Sequence, residues 1–285
     1  MAFDRELACR LAKASHVAYA VGRPGGVTAS PSYGDVRFTD VPDAVPDGAD
    51  GIDAAVVGRN VDGVIVAFRG TLPLTFDSGP PAFCQSLLDW LNNVQALQVP
   101  GYGGMVHGGF ADSLAGLWRD LEPKIRARVG AGTRIYVTGH SKGGALADLA
   151  AIRLADDAQL PPTAVYTYAA PRAGNGAFAD HYRQRIAESW RVENRDDIVP
   201  HLPPGGALRE VLARLDPRLG DLAAFEYESV GTLQFIDWNG AIEGDSAGLE
   251  FRRFGSLSAK LVTGRLGEIA DDHKLEEDYF TAVCL

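Results

Sequence analysis

The stretch that most restricts what this chain can fold into is residues 133–154, TRIYVTGHSKGGALADLAAIRL. A β-rich run, TRIYVT, meets Gly139-His140-Ser141-Lys142-Gly143 and passes at once into a segment with Leu146, Leu149, Ala150 and Leu154 on one helical face. A strand that turns into a helix over so few residues needs glycines around the serine, and it leaves the serine Oγ exposed at the turn. The same pentapeptide pattern recurs at Gly244-Asp245-Ser246-Ala247-Gly248, which a chain with 33 glycines readily produces. Around Ser246 neither a strand before nor a helix after is expected, and too few residues follow to supply further strands carrying an acid and a histidine. Ser141 is therefore the candidate nucleophile, and Ser246 reads as a turn.

Periodicity on both sides of this turn defines the fold class. Leu7, Leu11, Ala14 and Ala18 predict an amphipathic N-terminal helix, followed by Pro/Gly/Asp-rich loops up to about residue 51. AAVVGRNVDGVIVAFRG predicts a hairpin that turns at residues 60–63 and ends at Phe68-Arg69-Gly70-Thr71. Leu114, Leu117, Leu121, Ile125 and Val129 predict a long helix; AVYTYAAP predicts a strand, residues 175–187 a helix, and SWRVEN another strand. Strand and helix in alternation imply an α/β fold, with a mostly parallel central sheet flanked by helices in one domain over residues 1–285. Residues 72–92 mix prolines and glycine with Leu72, Leu74, Phe76, Phe83 and Trp90, a lid-like composition.

Composition excludes several function classes. With 27 basic against 37 acidic residues and a formal charge of −10, the chain lacks the electrostatic footprint of a nucleic-acid binder. Cys9, Cys84 and Cys284 stand in no metal-ligand spacing and are expected as small apolar fillers or surface thiols. No run of about 18 apolar residues predicts a transmembrane helix. The N-terminus scatters Asp4, Arg5, Glu6, Arg10 and Lys13 through its apolar residues, so no signal peptide is expected, only a soluble chain that is cytoplasmic or exported by a leaderless route.

A serine nucleophile needs a base, and the base needs an orienting acid; in an α/β-hydrolase fold they follow in the order Ser, Asp or Glu, His. Of His181, His201 and His273, the last comes after further apolar runs and is the expected base. The acid belongs at the end of the strand SWRVEN, where spacing leaves Asp196 and Asp197 open. Lys142 N–H, at the start of a helix, is one expected oxyanion donor, and Thr71, at the end of VIVAFRG, supplies the other.

The blocks VIVAFRGT, DWLNN, VHGGF, VTGHSKGGALADLAA, YTYAAPRAGN, NRDDIVPHLP and DDHKLEEDY, running in this order from about Val64 to Tyr279, resemble the class 3 lipases, the group that includes the fungal triacylglycerol lipases. The resemblance implies Ser141, Asp197 and His273 as a catalytic triad, with Thr71 and Lys142 at the oxyanion hole. It implies hydrolysis of a lipid or small carboxylic ester, as a triacylglycerol lipase or carboxylesterase, through an acyl-enzyme at a lipid–water interface and with no cofactor or metal. Where the family usually has Leu after the serine, this chain has Lys142. Phospholipase and feruloyl esterase chemistry stay open on the same triad, as does a non-catalytic, lipid- or partner-binding use of the fold. An esterase built on His107-Gly108-Gly109 and Ser246 fails on order and distance.

Overall fold

The computed structural model of the chain describes residues 2–47, 52–70, 97–221 and 226–284; Thr71, Cys84 and the lid-like segment 72–92 lie outside them. The elements in chain order are α1 (Arg5–Ala18), α2 (Tyr33–Val36), β1 (Asp43–Pro46), β2 (Ala54–Arg59), β3 (Val64–Phe68), β4 (Gln98–Gly101), β5 (Gly104–His107) and α3 (Gly108–Arg126). Next come β6 (Ile135–His140), α4 (Lys142–Asp156), β7 (Ala164–Tyr168), α5 (Gly176–Arg185), β8 (Ser189–Asn194), α6 (Gly206–Leu215) and α7 (Pro217–Asp221). The chain ends through β9 (Thr232–Ile236), β10 (Ile242–Gly244), α8 (Ala247–Thr263), α9 (Leu266–Asp271), a π-helical turn (Leu275–Tyr279) and α10 (Phe280–Val283).

Eight strands form one sheet in the order β1-β2-β3-β6-β7-β8-β9-β10. The inner pairs from β3 to β9 are parallel, and the pairs β1–β2, β2–β3 and β9–β10 are antiparallel. In β3, successive side chains point to opposite faces, and both faces are covered. Val64, Val66 and Phe68 join a core with Leu114, Leu121 and Leu149, whereas Ile65 and Ala67 pack in a second core with Leu11 and Tyr279. That two-sided burial is why VIVAF reads as an unbroken apolar run rather than an alternating one. The architecture is the expected α/β one, and its parallel strands present their carboxyl ends along a single edge.

Three features depart from the sequence expectation. The loops before residue 51 contain α2 and the edge strand β1, which pairs with β2 although only Val45 of its four residues is buried. Helix α4 is buried almost all round rather than on one stripe, because its Gly and Ala residues let the sheet, α3 and α5 close on it. Cys9 and Cys284 are not separate thiols: a disulfide joins them across 275 positions of sequence. It ties α1 to the chain's end, which packs on the same face of the sheet, a pairing that no local spacing encodes.

Candidate active site

The turn between β6 and α4 holds Ser141 at φ 57° and ψ −134°, a conformation that costs a non-glycine residue about 1–3 kcal/mol. A Cβ at Gly139 would overlap the Gly143 carbonyl, and one at Gly143 would overlap the Phe68 carbonyl, so the two glycines of the pentapeptide are what lets strand, turn and helix close together. Two bonds hold the serine backbone: Ser141 N donates to Tyr168 O (2.9 Å), and Gly144 N donates to Ser141 O (2.8 Å). Lys142 is the first residue of α4, where helix amides have no carbonyl partner one turn back and the dipole favours negative charge.

Ser141 Oγ lies 3.0 Å from His273 Nε2, and His273 Nδ1 lies 2.9 and 3.0 Å from the carboxylate oxygens of Asp197. The carboxylate fixes the tautomer, since Nδ1 must carry the proton donated to Asp197 and Nε2 is left to accept from the serine hydroxyl. Asp197 is fully buried and also accepts from Val199 N (2.9 Å) and Tyr279 Oη (2.7 Å). Burial, and then Asp197 itself, push the Tyr279 phenol well up, so it stays a proton donor.

His140, the pentapeptide's second residue, steadies the base from behind. Its Nε2 lies 3.0 Å from His273 O, and its Nδ1 lies 2.8 Å from Tyr19 Oη. A carbonyl only accepts, so Nε2 carries the proton and Nδ1 accepts from Tyr19. Burial holds the ring neutral by pushing its pKa well down. Asn194 Nδ2 donates to Asp272 O (2.8 Å), fastening the same loop one residue earlier. No local pattern in the sequence marks these supports. Only the histidine inside the pentapeptide was a usable signal, because Tyr19 and Asn194 arrive from distant elements.

The Lys142 side chain is buried and paired with Asp53 at 2.7 Å, so the cation beside the serine is neutralised within the fold. His107 is fully buried, stacks on Phe110 at 4.2 Å, and among the described residues neither ring nitrogen has a side-chain hydrogen-bond partner. Burial, and then the neighbouring Lys142, push its pKa down to about 4.

The remaining candidates are accounted for elsewhere in the fold. Asp196, the alternative acid, accepts from Lys260 (2.7 Å), Trp238 Nε1 (3.1 Å) and Ser256 Oγ (3.0 Å), away from His273. His181 pairs with Asp156 at 2.6 Å on α5. Burial and then Arg253 push His201 down to about 3. Ser246, expected in a turn without flanking elements, does stand between a strand, β10, and a helix, α8. Its backbone is ordinary and extended, and its Oγ accepts from Leu249 N (3.2 Å) as the helix N-cap. Thr71, the second expected oxyanion donor, lies outside the described residues.

With this geometry in view, the family profile for Lipase (class 3) matches residues 65–206. A secreted mono- and diacylglycerol lipase of Fusarium solani is 34% identical over 166 residues, which cover 54% of this chain and 44% of that protein. A lipase of Rhizopus niveus is 33% identical over 146 residues, 50% of this chain and 35% of the relative. The chain thus spans less than half the length of these curated relatives. Among solved structures, a lipase–propeptide complex of Rhizomucor miehei superposes with a TM-score of 0.62 at 22% identity, covering 84% of this chain and 70% of that one, a likeness of fold. The expected cytoplasmic location or leaderless export is overturned here, since the Fusarium solani relative is a secreted protein. Family profile, relatives and architecture agree, and the chain belongs to the class 3 lipase family of the α/β-hydrolase fold.

Proposed function

We propose that the chain hydrolyses carboxylic esters of lipids through an acyl-enzyme on Ser141. The observation that carries this reading is the unbroken line from Ser141 Oγ through His273 to the buried carboxylate of Asp197, with steps of 3.0 and 2.9 Å. His273 takes the hydroxyl proton as Oγ attacks the acyl carbonyl, then returns it to the leaving alcohol; Asp197 holds the imidazole in the required tautomer. The amides of Lys142 and, from its place after Gly70, Thr71 bind the oxyanion. Water then attacks the acyl-enzyme with His273 as base, releasing the acid and free Ser141.

Acylglycerols are the favoured substrates, in keeping with the mono- and diacylglycerol lipase among the relatives. The Cys9–Cys284 disulfide fits an oxidising compartment, and with the secreted relative it supports work outside the cell. The test is a panel of esters of increasing acyl length, assayed below and above their solubility limits with Ser141→Ala as control. Rates that climb on emulsified long-chain esters are expected. Fastest turnover of short, dissolved esters with no rise at the interface would replace the lipid assignment with a soluble esterase, and no turnover of any ester would end the hydrolase reading.

A further inference from the structure

A cavity of about 550 Å³ opens between α5, the segment 227–231 and the amino ends of β8 and β9, where Ser189 and Thr232 begin their strands. Because β6 to β9 run parallel, Ser189 and Thr232 begin their strands at the end opposite to Ser141, which follows the carboxyl end of β6, while Arg172 reaches the cavity from the loop after the carboxyl end of β7. Its wall carries three arginines. Arg183 pairs with Asp180 (2.6 Å) and Glu228 (2.9 Å), and Arg191 pairs with Glu193 (2.9 Å) and also donates to Gly231 O. Arg172 differs: among the described residues its guanidinium has no hydrogen-bond acceptor and no ion pair, and its Nε is buried.

The carboxylate acting on Arg172 most strongly is Glu193, whose two oxygens are already taken by Arg191 and Arg253. Two guanidinium groups therefore already engage the buried carboxylate near Arg172. His201 beside them, pushed down to about 3 by burial and then Arg253, adds no further positive charge. Glu250 stands on the exposed rim, and Glu228 is engaged by Arg183. A partly buried guanidinium whose Nε has no acceptor is unfavourable, and its planar fork matches two oxygens of one oxyanion. Hydroxyls of Ser189, Ser229 and Thr232 line the same space as further donors.

We propose that this cavity is an oxyanion site that binds phosphate or a phosphomonoester, with Arg172 as its principal ligand. The volume exceeds what a bare anion fills and leaves room for an organic substituent. Ser141, Asp197 and His273 are not among the residues that line the cavity, so its test is read in binding and not in turnover.

Inorganic phosphate and phenyl phosphate are titrated calorimetrically into the whole chain at constant ionic strength, with chloride as the balancing anion. Saturable binding of one phosphate per chain is expected, together with a rise in the thermal midpoint that chloride does not give. Phenyl phosphate binding as well assigns the site to monoesters; its exclusion assigns the site to the free anion. Arg172→Gln should weaken binding roughly tenfold or more. Since that residue is partly buried, Thr232→Glu provides a second variant that keeps Arg172 and sets a competing carboxylate on the exposed wall, with the same loss expected. No saturable heat with either anion overturns the proposal, as does unchanged binding in Thr232→Glu or in a folded Arg172→Gln.

Discussion

Tyr279 donates its phenolic proton to Asp197 Oδ2 across 2.7 Å, at the carboxylate that holds His273. The phenol also accepts from Asn194 N (3.2 Å), so it joins the end of β8 to the π-helical turn before α10. Tyr279→Phe removes one of the bonds that orient the acid and keeps the ring's packing. A loss of about 1.5–3 kcal/mol is expected for a hydrogen bond to a charged group, part of it as a roughly tenfold lower kcat on a dissolved ester with KM little changed. Equal kcat in the variant would show that the acid is held without the phenol.

His140 acts on the base through the backbone of His273, not through the reacting atoms. His140→Ala leaves the His273 carbonyl without its donor and opens a small space behind the ring. Turnover should fall about 10–100-fold, as misplacement of a catalytic group allows, while KM stays near the wild-type value. Steady-state kinetics on one soluble ester separate the two parameters. A change confined to KM would contradict a positioning role.

The Lys142–Asp53 pair is a folding feature beside the site. Removing one partner strands a buried charge, so Lys142→Met or Asp53→Leu alone should each cost about 3–5 kcal/mol in denaturant unfolding. The combination Lys142→Met/Asp53→Leu, apolar on both sides, should recover most of that loss. Purely additive costs would argue that the two side chains are not coupled in the fold.

Acid sensitivity follows from buried neutral imidazoles. His107 and His201 have pKa values pushed from 6.5 down to about 4 and about 3. Below pH 6.5 the unfolded chain binds protons that the folded chain refuses, so stability falls with the pH until each folded pKa is reached. His107 alone accounts for about 3 kcal/mol over that window. Glu193, held down at about 2 mainly by Arg253 and Arg191 against the effect of burial, adds a further loss between its ordinary value of 4.5 and 2. Urea midpoints measured from pH 7 to pH 4 should decline steadily, and His107→Phe should flatten the decline.

Much of the fold and of the candidate site was legible in the sequence because local patterns and tertiary roles coincide there. VIVAF and IYVTGH are buried on both faces and read as inner strands, and the glycines about Ser141 announce a turn that no larger residue fits. Where patterns and roles separate, reading failed. Helix α8 escaped notice because its inward stripe includes Arg253 and Lys260 while Phe251 points outward, which scrambles the apolar period. Asp196 and Asp197 are neighbours at one strand end, and only the arrival of Lys260 at one and His273 at the other tells them apart. The disulfide joins the two ends of the chain and leaves no local trace.

The two serines in the same pentapeptide pattern provide the most direct test of the account. Turnover of a soluble ester is measured for the wild type, Ser141→Ala and Ser246→Ala, with thermal melts on all three. Ser141→Ala should keep its stability and lose activity by ~10⁶-fold. Ser246→Ala should keep its activity and lose about 1 kcal/mol of stability as an N-cap. Near-wild-type turnover in Ser141→Ala, or its loss in a folded Ser246→Ala, would contradict the assignment of Ser141 as the nucleophile.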